Sequence, residues 1–208
     1  MENNREVAIL KDIYKKPKIH VASYWERENV INPVDVTSHS KLAFGKQLSP
    51  FYLGPVKLYA GYIAQNVENA WQYSKVYKEF VDEKTGTPSE KYFSWAAKGW
   101  QQTWADRHPR GKEIPLYSWW AGQRLDYIQA RKKIYLPLYA AAARETEAFG
   151  ALQEYCRLKE EVTLVDFDGY NFEKAGLSIK DVVNNPEKRM GHAFVLWLLL
   201  NDIDFTNF

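Results

Sequence analysis

The stretch that most constrains the fold of this chain covers residues 64–81, with the sequence AQNVENAWQYSKVYKEFV. Its apolar residues recur at helical spacing, so the sequence predicts one helix with a side that faces a core. Asn66 suits the N-cap position of that helix. The opposite side carries Glu68, Gln72 and Lys75 at i, i+4 and i+7, which places them on one stripe about two turns long.

Two interpretations of this polar stripe are open from the residues alone. It is either a solvated helix face with an i,i+4 contact, or a site that presents a carboxylate, an amide and an ammonium beside the indole of Trp71. Composition bears on the choice, because aromatic residues make up 15% of the chain and include 8 Trp and 14 Tyr. Aromatic side chains fill a core, or they line a pocket that stacks a planar base.

The whole chain, residues 1–208, is predicted to form a single domain, since its length suits one core and no repeat or low-complexity linker divides it. Its net charge of +2 arises from 28 basic and 26 acidic residues, a balance that gives no electrostatic argument for nucleic-acid binding. The longest apolar run, residues 193–200, is too short to span a bilayer, and no secretory signal is visible. We therefore expect a soluble cytoplasmic protein with no membrane partner.

Several kinds of chemistry are disfavoured by missing motifs. The single cysteine, Cys156, excludes an intrachain disulfide and a Cys-based zinc cage, and its apolar context is typical of a core thiol. The four histidines show no ligand spacing, so we expect no metal and no cofactor, although Asp166 and Asp168 leave a divalent cation open. GxxxxGK[ST], GxGxxG and GxSxG motifs are absent, which disfavours P-loop, dinucleotide-binding and serine-hydrolase chemistry.

The pattern of the remaining segments predicts an α+β fold, mostly helical with a few short strands. Strands are predicted over residues 19–25 and 161–167, and an edge strand or bent loop over 48–62. Further helices are predicted over residues 87–109, 123–144, 146–157, 178–184 and 189–201. Thr87 is the expected N-cap of the second helix, with Glu90 completing a capping box, and Pro137 is expected to kink or split the third. Residues 26–50 are expected to form irregular loop with short strands. Residues 1–20 are expected to hold a polar tail and a short apolar segment around Val7 and Ile13.

Three further groups of residues are candidates for function. Arg107, His108, Arg110 and Lys112 form either a solvated basic loop or a loop that grips phosphates. Asp166 and Asp168, at the end of a strand, either serve acid–base chemistry or form an Asp-Gly turn. Near the start of the last helix, His192 is either a hydrogen-bonded core residue or part of a site, and Gly191 permits close packing of a helix or a ligand.

Four segments occur in a fixed order within residues 42–200. They are Leu48-Ser49-Pro50-Phe51, the VENAWQYSK stretch over 67–75, the strand that precedes Asp168, and Met190-Gly191. In this order the chain resembles the NADAR (YbiA-like) superfamily, which carries LSNF, then SEHxxQxxK on a helix, then an aspartate-ended strand and an LG helix start. Val67 and Asn69 stand where that family has Ser and His, and residues 1–40 form an N-terminal extension outside the match.

The resemblance implies an N-glycosidase that acts on an N-linked ribosyl or ADP-ribosyl group, including ADP-ribose on guanine in nucleic acid. Cleavage of such a bond passes through an oxocarbenium-like state that a carboxylate stabilises or serves by activating water. The predicted catalytic residues are Glu68, Asp168 and Lys75. The predicted substrate-binding residues are Ser49, Phe51, Trp71, Gln72, Arg107, Arg110, Tyr170, Gly191 and His192. Two alternatives stay open on the same fold: a nucleobase- or nucleotide-modifying transferase, and a non-catalytic module that binds ADP-ribose or a nucleotide.

Overall fold

The computed structural model describes residues 16–206 and 208, so the predicted apolar segment around Val7 and Ile13 lies outside the described residues. In chain order the strands are β1 Lys18–Ser23, β2 Pro33–Asp35, β3 Val56–Lys57, β4 Ile63–Ala64, β5 Lys75–Val76, β6 Tyr117–Trp120, β7 Gln123–Leu125 and β8 Glu161–Asp166. The α-helices are α1 Ala43–Gln47, α2 Val67–Gln72, α3 Glu90–Trp100, α4 Tyr127–Ala130, α5 Leu136–Arg144, α6 Glu147–Arg157, α7 Ile179–Asn184 and α8 His192–Leu200. Short 3₁₀ helices cover Tyr24–Asn29, Tyr59–Gly61 and Lys78–Phe80. The predicted α+β class, a mostly helical single domain with small sheets, is confirmed.

The sheet that positions the candidate site is parallel, with strand order β1-β8-β2. Its central strand β8 is buried from Val162 onward, as its apolar composition requires when neighbours lie on both sides. Parallel strands end at the same edge, so the residues that follow β2 and β8 meet there. The N-terminal residues, which were expected to be an extension, thus supply two of the three strands of this sheet.

Helix α8 packs against this sheet and carries one end of the candidate site. Its residues are almost all buried, which agrees with the all-apolar pattern, and the indole of Trp197 donates to the Ile19 carbonyl at 2.7 Å. The helix begins at His192 with Gly191 as its N-cap, three residues after the predicted start. The start of α8 therefore lies at the carboxyl edge of the sheet.

The helix predicted over residues 64–81 ends early, at Gln72. Asn66 is its N-cap, as predicted, and accepts from the Asn69 backbone N–H at 2.8 Å. Beyond Gln72 the backbone forms β5, which pairs antiparallel with β6, and the Tyr92 hydroxyl donates to the carbonyls of Tyr73 and Ser74. These contacts satisfy backbone groups that a longer helix would otherwise use, so tertiary pairing overrides the helical pattern.

The helix predicted over residues 87–109 is shorter at both ends, and Ser89, not Thr87, is its N-cap. Backbone pairing of residues 80–82 with 87–89 holds Thr87 and Pro88 in an extended conformation. The helix ends at Trp100, and Trp104, which lies within the predicted range, is 65% exposed on the loop that follows. The buried face of the helix consists of Tyr92, Ala96, Gly99 and Trp100.

The helix predicted over residues 123–144 starts late, because residues 123–125 form β7. Ala121 and Gly122 both have positive φ, and this two-residue turn joins β6 to β7 as a hairpin. Before Pro137, the segment Arg131–Tyr135 is a π-helical turn in which the Leu136 N–H donates to the Arg131 carbonyl. Pro137 has no N–H to donate to the preceding turn, so the kink or split that was predicted at this proline takes the form of a π-helical turn.

The strands predicted over residues 19–25 and 161–167 and the helices predicted over 146–157 and 178–184 differ from the structure by one or two residues at their ends. Residues 48–62 are mostly loop, with the two-residue strand β3 and a 3₁₀ turn. Helices α6 and α7 begin after the N-caps Thr146 and Ser178, and Ser178 forms a capping box with Asp181. Cys156 is buried on α6, and burial raises the pKa of its thiol to about 11. In the described part of the chain, no helix is both long and apolar enough to cross a membrane.

Candidate functional site

A cleft with a volume of about 1100 Å³ opens at the carboxyl edge of the parallel sheet. Helix α2, the loop over residues 106–115 and the start of α8 form its walls. It is lined by these predicted site residues: Ser49, Phe51, Glu68, Trp71, Gln72, Lys75, Arg107, Asp168, Gly191 and His192. The three predicted catalytic side chains thus share one cleft, although they come from a helix, a strand and the turn after β8.

Two of the predicted substrate-binding residues do not line this cleft. The guanidinium of Arg110 pairs with Glu113 at 2.9 Å and with Glu79 at 3.0 Å, which holds it against the outer side of the loop. Tyr170 borders a separate shallow depression, where the Lys188 ammonium lies 4.5 Å from the centre of its ring. Neither side chain is placed to contact a ligand in the cleft.

A short chain of hydrogen bonds links Glu68, Gln72 and Lys75, the residues of the predicted polar stripe. The Lys75 ammonium donates to Gln72 Oε1 at 2.6 Å, and Gln72 Nε2 donates to Glu68 Oε1 at 2.8 Å. Because an ammonium only donates, it fixes the amide oxygen of Gln72 toward Lys75 and the amide N–H₂ toward Glu68. The i,i+4 contact of α2 is therefore oriented by a residue on β5, and the Lys75 ammonium also lies 5.1 Å from the Trp71 ring centre.

Burial shifts the pKa values at both ends of this chain. The Glu68 side chain is buried, and this desolvation raises the pKa of its carboxyl, although the Gln72 hydrogen bond and the charges of Lys75, Arg107 and His192 oppose the shift. Burial also lowers the pKa of the Lys75 ammonium to about 8, although the negative charge of Glu68 opposes this shift. A carboxylate with a raised pKa is a stronger base than an exposed one, as general base chemistry near neutral pH requires.

Lys75→Met is expected to stabilise the fold by about 1–2 kcal/mol at pH 7, because it removes a half-buried cation whose charged form the folded state disfavours. The pKa of Lys75 is lower in the folded state (about 8) than in the unfolded state. The contribution of Lys75 to the free energy of unfolding is therefore lowest below pH 8, and it rises as the pH rises toward the unfolded pKa. Urea unfolding across this pH range should show a gain for Lys75→Met that shrinks with pH. Lys98→Met, at an exposed position of α3, is the control, and an equal gain there would contradict the assignment.

A buried ion pair forms the wall of the cleft beneath Glu68. Asp166 Oδ2 lies 3.1 Å from His192 Nδ1, and His192 Nε2 donates to the Val36 carbonyl at 2.7 Å. Burial alone would raise the pKa of Asp166, but His192 and backbone N–H groups hold that pKa below its usual value. Burial alone would lower the pKa of His192, but Asp166 and the Val36 carbonyl raise it. Both nitrogens of His192 thus face acceptors, the Asp166 carboxylate and the Val36 carbonyl, an arrangement that favours the imidazolium form.

Gly191 is required by this pair, because a Cβ at that position would overlap the Asp166 carboxylate. The same carboxylate accepts from the Ala193 N–H at 3.2 Å, which fixes the first turn of α8. Close helix packing, one of the two roles left open for Gly191, is thus its role in the structure.

Asp168 faces the cleft from the turn after β8 and pairs with Arg107 at 3.2 Å. The loop that carries Arg107 is held by Asn69, which is fully buried and follows Glu68 on α2. The Asn69 side chain makes three hydrogen bonds of 2.8–3.0 Å to backbone groups of Gln102, Trp104 and Asp106. Asn69, one of the two residues that differ from the NADAR pattern, therefore positions the loop that carries Arg107, the partner of Asp168.

Sequence patterns did not identify several residues that line the cleft. Thr37, Ser38 and His39 follow β2, a three-residue strand that begins with Pro33 and so gave no clear signal. Tyr135 lies within the helix predicted over residues 123–144 and lines the cleft. Burial together with nearby Asp166 and Glu68 raises its pKa well above the usual value. Tyr135 therefore stays protonated and is a hydrogen-bond donor among acidic groups.

Arg131 also lines the cleft, where it organises the segment that leads to α8. Its buried guanidinium donates to the carbonyls of Val182, Val183, Asn185 and Lys188. This contact fixes the backbone before Arg189, an exposed cation at the edge of the cleft whose charge helps to lower the pKa of Lys75.

Metal chemistry finds no geometric support in the part of the chain that is described. Among residues 16–206 and 208, no three or more His, Cys, Asp or Glu side chains are grouped to hold an ion. Asp166 is committed to His192 and Asp168 to Arg107. The cleft instead combines carboxylates, cations and aromatic rings, which suits a ligand with a sugar, phosphates and a planar base.

A family model described as a family of unknown function (DUF6939) matches residues 15–196. No curated protein matches the chain. Because the matched range covers most of the 208 residues, this chain belongs to the DUF6939 family.

Proposed function

We propose that this protein is an N-glycosidase that hydrolyses the bond between a ribosyl or ADP-ribosyl group and a nitrogen. The observation that carries the proposal is the buried Glu68 carboxylate, held by Gln72 and Lys75 in a cleft that Asp168 also lines. We also propose that the chain is a divergent NADAR member. This membership is supported by residues of two of the resembling segments, Leu48-Ser49-Pro50-Phe51 and the stretch over 67–75, because they line the same cleft.

In the proposed reaction Glu68 acts on the water that attacks the anomeric carbon. Its raised pKa favours proton acceptance, and its negative charge stabilises the oxocarbenium-like state. A bond forms between the water oxygen and the anomeric carbon while the carbon–nitrogen bond breaks. The electron pair of that bond stays with the nitrogen, and the net proton passes from water to the departing base.

The remaining groups of the cleft would bind and orient the substrate. Lys75 fixes the amide that orients Glu68, and Asp168 is placed to accept a hydrogen bond from a ribose hydroxyl. Arg189 and Lys112 supply positive charge for phosphates at the rim. Trp71 and Tyr135, whose ring centres lie 5.4 Å apart, offer aromatic surface to the departing base.

The proposal predicts hydrolysis by the wild-type protein in isotopically labelled water. ADP-ribosylated guanine DNA and an N-linked 5′-phosphoribosyl compound are the substrates, and mass spectrometry of the released sugar is the measurement. We expect free sugar and free base in equal amounts, because water is the acceptor, with the label in the anomeric hydroxyl at times too early for exchange with the solvent to place it there. Sugar attached to another acceptor would indicate a transferase. Thermal stabilisation by ADP-ribose with no product from either substrate would indicate a binding module, and both results would overturn the proposal.

We further propose a cytoplasmic location, which the single reduced and buried thiol of Cys156 supports.

A further inference from the structure

A cluster of aromatic rings extends outward from the wall of the cleft. We call it the aromatic shelf, and it consists of Tyr24, Trp25, His39 and Phe167. The Phe167 ring centre lies 4.7 Å from that of Tyr24, 6.0 Å from that of Trp25 and 5.4 Å from that of His39. Tyr24 and Trp25 pack edge to face at 5.3 Å, so the four rings form one connected surface.

The shelf is continuous with the cleft. Phe167 lies between Asp166 and Asp168 in sequence, and both Phe167 and His39 line the cleft wall. At the outer end the Trp25 side chain is 74% exposed, although an indole usually buries most of its surface. Two neighbouring rings, inclined to the indole at 86° and 49°, hold it in place, and the exposed indole itself offers a flat face to a planar ligand.

The charged residues that follow Trp25 indicate what this ligand is. Glu26 and Glu28 belong to the same 3₁₀ turn as Trp25, and the cation of that turn, Arg27, lies 4.3 Å from the Tyr24 ring centre and 3.6 Å from Glu28. A chain of phosphates would be repelled by the two carboxylates, so the shelf does not suit a nucleic-acid backbone. The cations that suit phosphates, such as Lys112 and Arg189, line the cleft instead.

We propose that the aromatic shelf is a second subsite, which stacks a neutral planar base joined through phosphates to the ribosyl group in the cleft. The link between this subsite and a reacting sugar rests on the proposed function. The subsite implies that the substrate carries a nucleoside at the end far from that sugar. A ligand that ends in a single phosphate would fill the cleft and leave the shelf empty.

Calorimetric titration of the full chain with ADP-ribose and with ribose 5-phosphate tests the subsite. Stacking of one base on an aromatic side chain strengthens binding by about 10-fold or more. We therefore expect ADP-ribose to bind more tightly than ribose 5-phosphate by at least about that factor. Trp25→Ala should abolish this difference, whereas Trp25→Phe should preserve most of it. Trp104→Ala removes an indole that is 65% exposed but does not line the cleft, and it should change neither affinity.

Two outcomes would overturn the subsite: ADP-ribose that binds no better than ribose 5-phosphate, and Trp25→Ala protein that binds ADP-ribose as the wild type does. The hydrolysis assay decides the proposed function separately. If ADP-ribose binds through Trp25 but no N-glycosidic bond is cleaved, the shelf stands and the glycosidase proposal fails. If bonds are cleaved with equal efficiency in both ligand classes and Trp25→Ala has no effect, the glycosidase stands and the shelf fails.

Discussion

Glu68→Gln is expected to lower the rate of N-glycosidic cleavage about 10³-fold, the size of effect that a general base typically supplies. The change keeps the shape of the side chain and the hydrogen bond from Gln72, but it removes the group that accepts a proton and stabilises positive charge on the sugar. Single-turnover rates on ADP-ribosylated guanine DNA are the measurement. The loss should appear in the rate of the chemical step, while the affinity for ADP-ribose stays within a few-fold.

The stability of the Glu68→Gln protein distinguishes a chemical role of Glu68 from a structural one. The raised pKa of Glu68 in the folded state means that its contribution to stability is present below the unfolded pKa and is lost as pH rises through the folded pKa. Glu68→Gln protein should therefore be at least as stable as the wild type at pH 7. Glu154→Gln, which removes an exposed partner of Arg157, is the control and should retain full activity. Glu68→Gln protein that cleaves at the wild-type rate would refute the mechanism.

Gly191→Ala is expected to lower the free energy of unfolding by about 3 kcal/mol, at the upper end of the range for overpacked sites. The backbone of Gly191 has φ of −72°, so the cost is steric and not conformational. The new Cβ would displace the Asp166 carboxylate, which pairs with His192 and accepts from the first turn of α8. Displacement leaves a buried imidazolium without its counter-ion, which adds to the cost. Urea unfolding followed by circular dichroism is the measurement.

Gly150→Ala provides the matched control, because Gly150 lies within helix α6 and a Cβ there meets no atom within 4 Å. Replacing a glycine inside a helix by alanine stabilises it by up to about 1 kcal/mol, so the control should shift stability in the opposite direction. Equal unfolding free energies for the two variants would show that the packing around Asp166 relaxes without cost, and the rigid wall beneath Glu68 would no longer be supported.

Local signals predicted the elements whose ends are set by their own residues. Thr146 and Ser178 cap their helices with side chains a few residues away, so pattern and structure agree there. The helix over 64–81 shows the limit of this approach, because its end depends on β6, far along the chain, and on the Tyr92 hydroxyl. Gly122 was a usable signal for the turn at residues 121–122. The apolar spacing of the following residues nevertheless favoured a helix longer than the one that forms.

The candidate site was predictable in part, for the same physical reason. Glu68 and Gln72 meet because the helix that joins them exists, whereas Lys75 reaches Gln72 from a strand, a geometry that helical spacing does not describe. Asp168 was found because aspartates at the end of a buried strand are a recognisable pattern. Residues 37–39 escaped detection because their position depends on which strands are neighbours, and that is a property of the assembled sheet.

The strand order β1-β8-β2 has a consequence for how the protein forms during synthesis. Strand β8 inserts between two strands that leave the ribosome long before it, with Lys18 opposite Glu161. Until β8 emerges, β1 and β2 have no shared partner and the carboxyl edge of the sheet does not exist. Contacts between such distant segments form slowly, and the exposed strand edges of the nascent chain are open to aggregation. The cleft is thus formed late and all at once, so chains interrupted before β8 would carry Glu68 and Lys75 without the cleft wall that Asp166 and Asp168 complete.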